Sequence, residues 1–589
     1  MIRGALARAL ASPRAPLAAV ALAFVLALPT LGAGLFLDDW MHRVDLDPRW
    51  HSPHGIRGPW DLYHFFTDDP GFRRVALDNG LLPWWTAPAL RLAFLRPLAS
   101  LTIAFDLTTL WGHPWLMHLH NALWVAALAA AAWAVYRRAF AERRVAALAA
   151  VLYAVDHTRA MLVVWLANRH ALMSAVFAFA ALAAHLRGRR EGWRPGVAVG
   201  ASLFAVSLAC GETGLSLLAY LVPFALFADP APLRERVRSL APYVLLAAVW
   251  AVLYRQQDCG AYGGDLYVDP VRQPLTYALG FVARAPVLAL GQVLAPPSEF
   301  LPPTGPAVGV AVAAFLALVL RPLAALVRAD PMARVWAAGA LLSLVPASAT
   351  MPNDRLLVCA SLGAMGLLAR AIDTAWWSGA EVSRGARAVV GVLAVIHLGL
   401  SPLLQPARAL QIATISRGYL ARCDASLPSD ARLADDLVVA VTAPDALTTP
   451  YAFMARNALG RPWPRRGARL LVTPSRGTTT LRREGTHAVV VEATEPMPHD
   501  KLGVLYRGVD HPFRAGEVVE TAGMRAEVLA CSPEGRALRV RFTFDRALND
   551  PSLRWVEWVD GRFRPFAMPA DGATVTLTPI DWLRALAGP

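Results

Sequence analysis

Apolar runs long enough to cross a bilayer recur from residue 15 to residue 403, and they leave few folds open. They can be read near 15–37, 116–136, 145–162, 170–187, 195–210, 213–229, 238–254, 306–325, 332–350, 355–373 and 387–403. In lipid every backbone N–H and C=O must be satisfied within the protein, so runs of about 20 residues cross as helices. With 56% hydrophobic and 17% charged residues, the chain reads as a polytopic α-helical membrane protein.

The arginines orient it. Clusters at Arg3/Arg8/Arg14, Arg137/Arg138/Arg143/Arg144, Arg187/Arg189/Arg190/Arg194, Arg234/Arg236/Arg238, Arg321/Arg328/Arg334 and Arg370/Arg384/Arg387 fall on every second loop. Loops of that kind stay on the cytoplasmic side. Net charge is +14 and Lys501 is the sole lysine. Short arginine clusters between apolar runs fit membrane orientation better than a nucleic-acid face. The N-terminus is therefore expected in the cytoplasm. Residues 275–295 are apolar enough to cross but carry Arg284, and one crossing there would turn every later cluster outward. A re-entrant or interfacial segment is expected instead, leaving about eleven spans, with 12 or 13 as the outer range. The first run also resembles a signal peptide ending at LGAG. An uncleaved anchor is expected, because cleavage would part the following Asp38-Asp39 from the helix that places it.

Residues 1–405, with an outer loop at 38–115, are expected to form the membrane domain. Within that loop, 96–111 is read as a surface-lying helix because Asp106 interrupts it. From about 406 to 589 the pattern changes to short β-branched runs, LADDLVVAVTAPDA, HAVVVEAT, GEVVETAGMRAEVLAC, ALRVRFTFD and GATVTLTP, separated by Gly, Pro and Asp. These predict a β-rich soluble domain on the outer side. Arginine in place of lysine and alanine-rich spans suit a GC-rich bacterial source, so the membrane is expected to be the inner (cytoplasmic) one and the outer side periplasmic. The cysteines at 210, 259, 359, 423 and 531 show no metal or disulfide spacing.

Charged residues at the outer ends of the spans are the candidates for chemistry. Asp38 and Asp39 follow the first run directly, where a carboxylate pair is costly and seldom serves packing. They are read as a general base, with a shared proton or a bound cation as further options. The plain alternative is a helix end followed by a solvated turn. Arg96-Pro97-Leu98, Trp111-Gly112-His113-Pro114, His118-Leu119-His120-Asn121, Asn168-Arg169, Gly211-Glu212-Thr213 and Asp354-Arg355 should reach the same face. Glu212 could serve function or helix capping equally. His118 and His120 are two apart, so on a helix they face different ways and do not suggest zinc. Histidines His51 and His54 carry no ligand spacing either. Asp68-Asp69-Pro70-Gly71 reads as a turn, and Asp435/Asp436 as the lead into a strand. Aromatic residues Trp40, Trp50, Trp60, Phe65, Phe66, Trp84 and Trp85 suit a sugar- or lipid-contacting wall or an interfacial belt.

The order of these motifs, an Asp pair after the first span, RPL, WG.P, H..N, NR, GET and a late DR, resembles GT-C membrane glycosyltransferases. The resemblance covers residues 15–405 and is nearest to protein O-mannosyltransferases and bacterial lipid-modifying sugar transferases. It implies inverting transfer of a hexose or pentose from a polyprenyl-phosphate donor to an acceptor lipid, glycan or protein. In that reading Asp38 or Asp39 deprotonates the acceptor. Arg355, then Arg169 and Arg96, would meet the departing phosphate, and His120 and Glu212 would support substrate binding. Some enzymes of this class use a divalent cation, so Mg or Mn stays open. Two other classes compete: a transporter or flippase of envelope lipids, disfavoured because charges gather at one surface and no repeated half is visible, and a non-catalytic scaffold.

Overall fold

The computed structural model describes residues 2–47, 58–301, 305–497 and 502–587. Trp50, His51 and His54 lie outside the described residues. The chain gathers into two units that do not follow it linearly. The first takes 1–34, 94–257 and 269–413, and the second takes 35–93, 258–268 and 414–589. The loop 38–115 is thus divided, its first part folding with the C-terminal residues and the rest with the helices.

The first unit is helical. Among the described residues, seven helices are long and apolar enough to cross a membrane: Ala15–Gly32, Pro114–Ala139, Leu166–Glu191, Leu233–Gln256, Pro274–Leu294, Pro306–Ala329 and Arg384–Ser426. The pair Arg143–Ala154 and His157–Val164, bent by 40°, makes an eighth if taken as one span. Shorter apolar helices, Gly196–Cys210, Glu212–Phe227 and Pro331–Ala347, fill further apolar runs. The difference from the expected eleven spans lies in these breaks. Helix Gly196–Cys210, for example, stops at Gly211, whose extended backbone (φ 160°, ψ 167°) no helix continues. Residues 275–295 form one continuous helix, Pro274–Leu294, which removes the re-entrant hairpin from the two readings and leaves the interfacial one beside a crossing.

Small residues let these helices approach closely. A Cβ on Gly196 would lie 2.5 Å from the Cα of Gly188 on the preceding helix, a distance that only glycine permits. At one end, the arginine-bearing loops are knitted together. Arg190 donates to the carbonyls of Arg138 (2.8 Å) and Ala139 (2.6 Å). Arg189 pairs with Asp229 at 2.8 Å, Arg144 with Asp373 at 2.9 Å, and Arg370 with Asp330 at 2.9 Å.

The second unit holds three sheets. Strands β1 (His64–Phe66), β2 (Arg91–Ala93) and β3 (Gly260–Tyr262) form an antiparallel sheet in that order. The C-terminal stretch supplies β4 (Leu437–Thr442), β5 (Ala468–Val472), β6 (Thr479–Glu484), β7 (Ala488–Met497), β8 (Val518–Thr521), β9 (Met524–Cys531), β10 (Ala537–Phe544), β11 (Leu553–Val559), β12 (Arg562–Pro565) and β13 (Thr574–Leu577). A six-stranded sheet runs β13-β6-β7-β10-β9-β8, and a four-stranded sheet runs β12-β11-β4-β5. Strand β4 pairs in parallel with both β11 and β5. That explains its unbroken apolar run: a strand covered on both faces has no polar side. Arg469 on β5 is buried and donates to the carbonyls of Asp78 and Ala522, each at 2.7 Å. Burial lowers its guanidinium to about 10. These bonds fasten the first-loop helix Pro70–Asp78 to the sheets.

Candidate functional site

Within the helical unit, the sequence candidates form two basic centres. Pro97 opens helix Pro97–Thr109, since a proline at the first helical position gives up only an N–H without an intrahelical partner. Arg96, just before it, forks onto Glu212, with Nε to Oε2 at 3.0 Å and Nη2 to Oε1. Gly211 fits because space is short: a Cβ there would meet His170 Nδ1 at 3.2 Å. The Glu212 carboxylate is thus engaged by Arg96.

Asp106 lies on the same short helix. It is 1% exposed and pairs with Arg169, itself fully buried, at 2.6 Å. The carboxylate that suggested a surface-lying helix is therefore an interior group, tolerated because a guanidinium meets it. The Trp124 indole N–H donates to His120 Nε2 at 3.1 Å. That leaves the ring proton on Nδ1, which donates to Asp106 Oδ1 at 2.9 Å. Asn121 donates to the Leu162 and Val163 carbonyls at 2.9 Å each and accepts from Arg169 Nε at 3.3 Å. His118 turns elsewhere, with Nε2 to the Gly34 carbonyl at 2.8 Å. Asp106 escaped the sequence reading because a carboxylate inside an apolar run looks like a break until its partner is known.

The second centre is built by Pro352-Asn353-Asp354-Arg355. The Asn353 side chain accepts from the Arg355 N–H at 3.0 Å and caps the turn Asp354–Leu357. Asp354 accepts from the Ser298 N–H at 3.1 Å and from its hydroxyl, and pairs with Arg408 at 3.2 Å. Arg355 points away from Asp354. Its guanidinium sits 4.8 Å from the centre of the Trp165 ring, with Nη1 3.5 Å from the neutral Asn168 Oδ1. Among the described residues, no carboxylate lies within ion-pair distance of it.

Asp38 and Asp39 belong to the second unit. They open helix Asp38–Asp45, where exposed N–H groups favour negative charge. Leu37 before them has φ 42°, a conformation that costs an L-residue roughly 1–3 kcal/mol. Adjacent helical residues diverge by about 100°, and the two carboxylates have different partners. Asp39 is 1% exposed and accepts from the Phe36 N–H at 2.9 Å. Asp38 is half-buried and accepts from the Tyr451 hydroxyl. Burial and the negative charge of Asp38 hold the Tyr451 phenol well above its ordinary range. Tyr451 sits on helix Thr448–Ala458, in a stretch with no motif to mark it.

The remaining candidates serve the fold. Asp69 caps helix Pro70–Asp78, accepting from the Phe72 N–H at 2.7 Å, and Asp68 pairs with Arg91 at 2.6 Å. Asp436 pairs with Arg554 at 2.7 Å. The aromatic wall is largely core: Phe65, Phe66, Trp84 and Trp85 are buried, and Trp84 packs on Phe542 and donates to the Leu471 carbonyl at 3.0 Å. Aromatic rings with partners on β-strands fill an interior in preference to a wet wall. Among the described residues, no three His, Cys, Asp or Glu side chains are grouped to hold a metal ion.

No family model matches the chain, and no curated protein matches it in sequence. Solved structures with a partial likeness come from the archaeon Archaeoglobus fulgidus. The oligosaccharyltransferase AglB in complex with an inhibitory peptide and a dolichol-phosphate is 12% identical, over 68% of this chain and 56% of that chain, with a TM-score of 0.39. The oligosaccharyltransferase tethered with an acceptor peptide containing the NVT sequon is 12% identical, over 79% and 64%, with a TM-score of 0.37. Its complex with Zn and sulfate is 11% identical, over 77% and 62%, with a TM-score of 0.38. The chain spans less than two thirds of each of these proteins.

Proposed function

We propose that the protein is an integral-membrane glycosyltransferase of the GT-C type, moving a sugar from a polyprenyl-phosphate donor to an acceptor hydroxyl with inversion. The observation that carries this is Arg355. Three arginines were candidates for the donor phosphate. Arg96 pairs with Glu212 and Arg169 with Asp106, whereas Arg355 has no carboxylate within ion-pair distance among the described residues and lies on the Trp165 face. A guanidinium held this way offers a phosphate two parallel N–H donors without first breaking an ion pair.

Each residue then has one task. Asp38, the more exposed of the pair, takes the proton of the acceptor hydroxyl, and Asp39 braces the turn that presents it. The acceptor oxygen bonds to the anomeric carbon as the carbon–oxygen bond to the phosphate breaks. The electron pair leaves with the polyprenyl phosphate, whose growing charge Arg355 stabilises. Arg96–Glu212 and Asp106–Arg169–His120 hold the surrounding helices in place. The sugar is a hexose or pentose, the acceptor a lipid, glycan or protein, and the reaction faces the periplasm from the inner membrane.

The test uses the full chain in nanodiscs with a panel of undecaprenyl-phosphate hexoses and pentoses, alongside mass spectrometry of envelope lipids and glycans from a deletion strain. A sugar should vanish from one envelope species. Asp38→Asn should reduce transfer of that sugar by about a thousandfold or more. An unchanged envelope together with no turnover of any panel donor would overturn the reading. Undiminished transfer by Asp38→Asn would overturn the assignment of the base.

A further inference from the structure

The second unit shows a bond that joins the acidic pair to the C-terminal residues. The Tyr451 hydroxyl donates to Asp38 Oδ1. Helix Thr448–Ala458 brings it there, led in by the buried Asp445, which accepts from the N–H groups of Leu447 and Thr448 at 2.8 Å each and from the Trp582 indole at 3.1 Å. A hydroxyl nearby, that of Tyr419, bonds Thr448 on the same helix. Tyr451 is 5% exposed, so this hydroxyl is in a fixed place and not on a mobile surface. The other titratable groups that bear on it are Asp39 and Tyr506.

We infer that Tyr451 is a positioning residue: its hydroxyl fixes the orientation of the Asp38 carboxylate and keeps it ionised, so the β-rich unit supplies part of the base. This rests on the reading of Asp38 as the base. A donor aimed at a carboxylate favours the charged form and fixes the oxygen it meets. A phenol suits the place better than a cation would. A neutral phenol orients the carboxylate without itself adding a counter-charge, as an arginine fork would do. A phenol next to a carboxylate also keeps its proton, because two negative charges side by side are unfavourable.

The experiment reads Asp38 directly, without need of a donor. Infrared titration of the full chain in detergent gives the protonated-carboxyl band of Asp38 as the difference between wild type and Asp38→Asn. In Tyr451→Phe the midpoint of that band should move up by about one pH unit, with thermal unfolding close to wild type. With a working donor, the acid limb of the kcat profile should move up by the same amount, kcat should fall by about tenfold, and KM should stay put. Incorporation of 3-fluorotyrosine at position 451, a near-isosteric and stronger donor, should move the midpoint down. A midpoint that neither substitution moves overturns the inference. Asp38→Asn that still transfers sugar, with the midpoint shift intact, overturns only the assignment of the base.

Discussion

Arg169 and Arg355 are both arginines of the helical unit, next to Asn121 and Asn168 respectively, and they come to opposite fates. Arg169 is sealed: fully buried, paired with Asp106 and bonded to Asn121. Arg355 is open: partly exposed, lying on Trp165 with one long contact to an amide. A buried charge must be met by another charge or it unfolds its surroundings. Once met, it has little left for a ligand. The contrast separates charge used for architecture from charge that no carboxylate meets among the described residues, and spacing along the chain does not reveal which is which.

Five variants probe that contrast. Arg169→Met leaves Asp106 buried without its partner and should destabilise the protein by roughly 3–5 kcal/mol, seen as a lower thermal unfolding temperature and a poor yield. Replacing both partners together, Asp106→Leu with Arg169→Met, should recover most of that loss, because two apolar residues leave no stranded charge. Arg355→Ala should do the reverse, leaving unfolding unchanged while lowering kcat/KM for the polyprenyl-phosphate donor about a hundredfold. Arg355→Lys should restore only part of it, since an ammonium cannot fork. The smallest effect belongs to Trp165→Leu. Loss of a cation–π contact worth about 0.5–1 kcal/mol should raise the donor KM a few-fold with kcat little changed. Should Arg355→Ala destabilise as Arg169→Met does, the two centres would be of one kind.

Much of the helical unit could be read from residue order alone, because membrane burial imposes length and apolarity on each crossing segment. The β-branched runs at 437–442, 488–497, 524–531 and 537–544 likewise became strands. Strand Ala468–Val472 and helix Thr448–Ala458 did not stand out, the first for its shortness and the second for its weak periodicity. What failed was anything set by a partner distant in the chain. Asp106 looks like an interruption without Arg169. Asp354 looks like half of a DR motif without Arg408. Tyr451 has no signature at all, since its role is decided by a residue in the first loop. Gly211 and Glu212 were noticed as a motif, but the sequence left capping and charge pairing equally open, and only the guanidinium of Arg96 resolves them.

Asp38 and Tyr451 stand 413 residues apart in the chain, which makes their bond a matter of timing. A ribosome adds roughly 5–20 residues per second, so the acidic turn leaves the first helix and waits about 20–80 s for the phenol to be made. During that interval the nascent protein has most of its apolar helices but an acidic turn without its phenol partner. A chain cut short before residue 451 would keep most of the apolar helices and lack the phenol that meets Asp38, so the second unit is completed only near the end of synthesis.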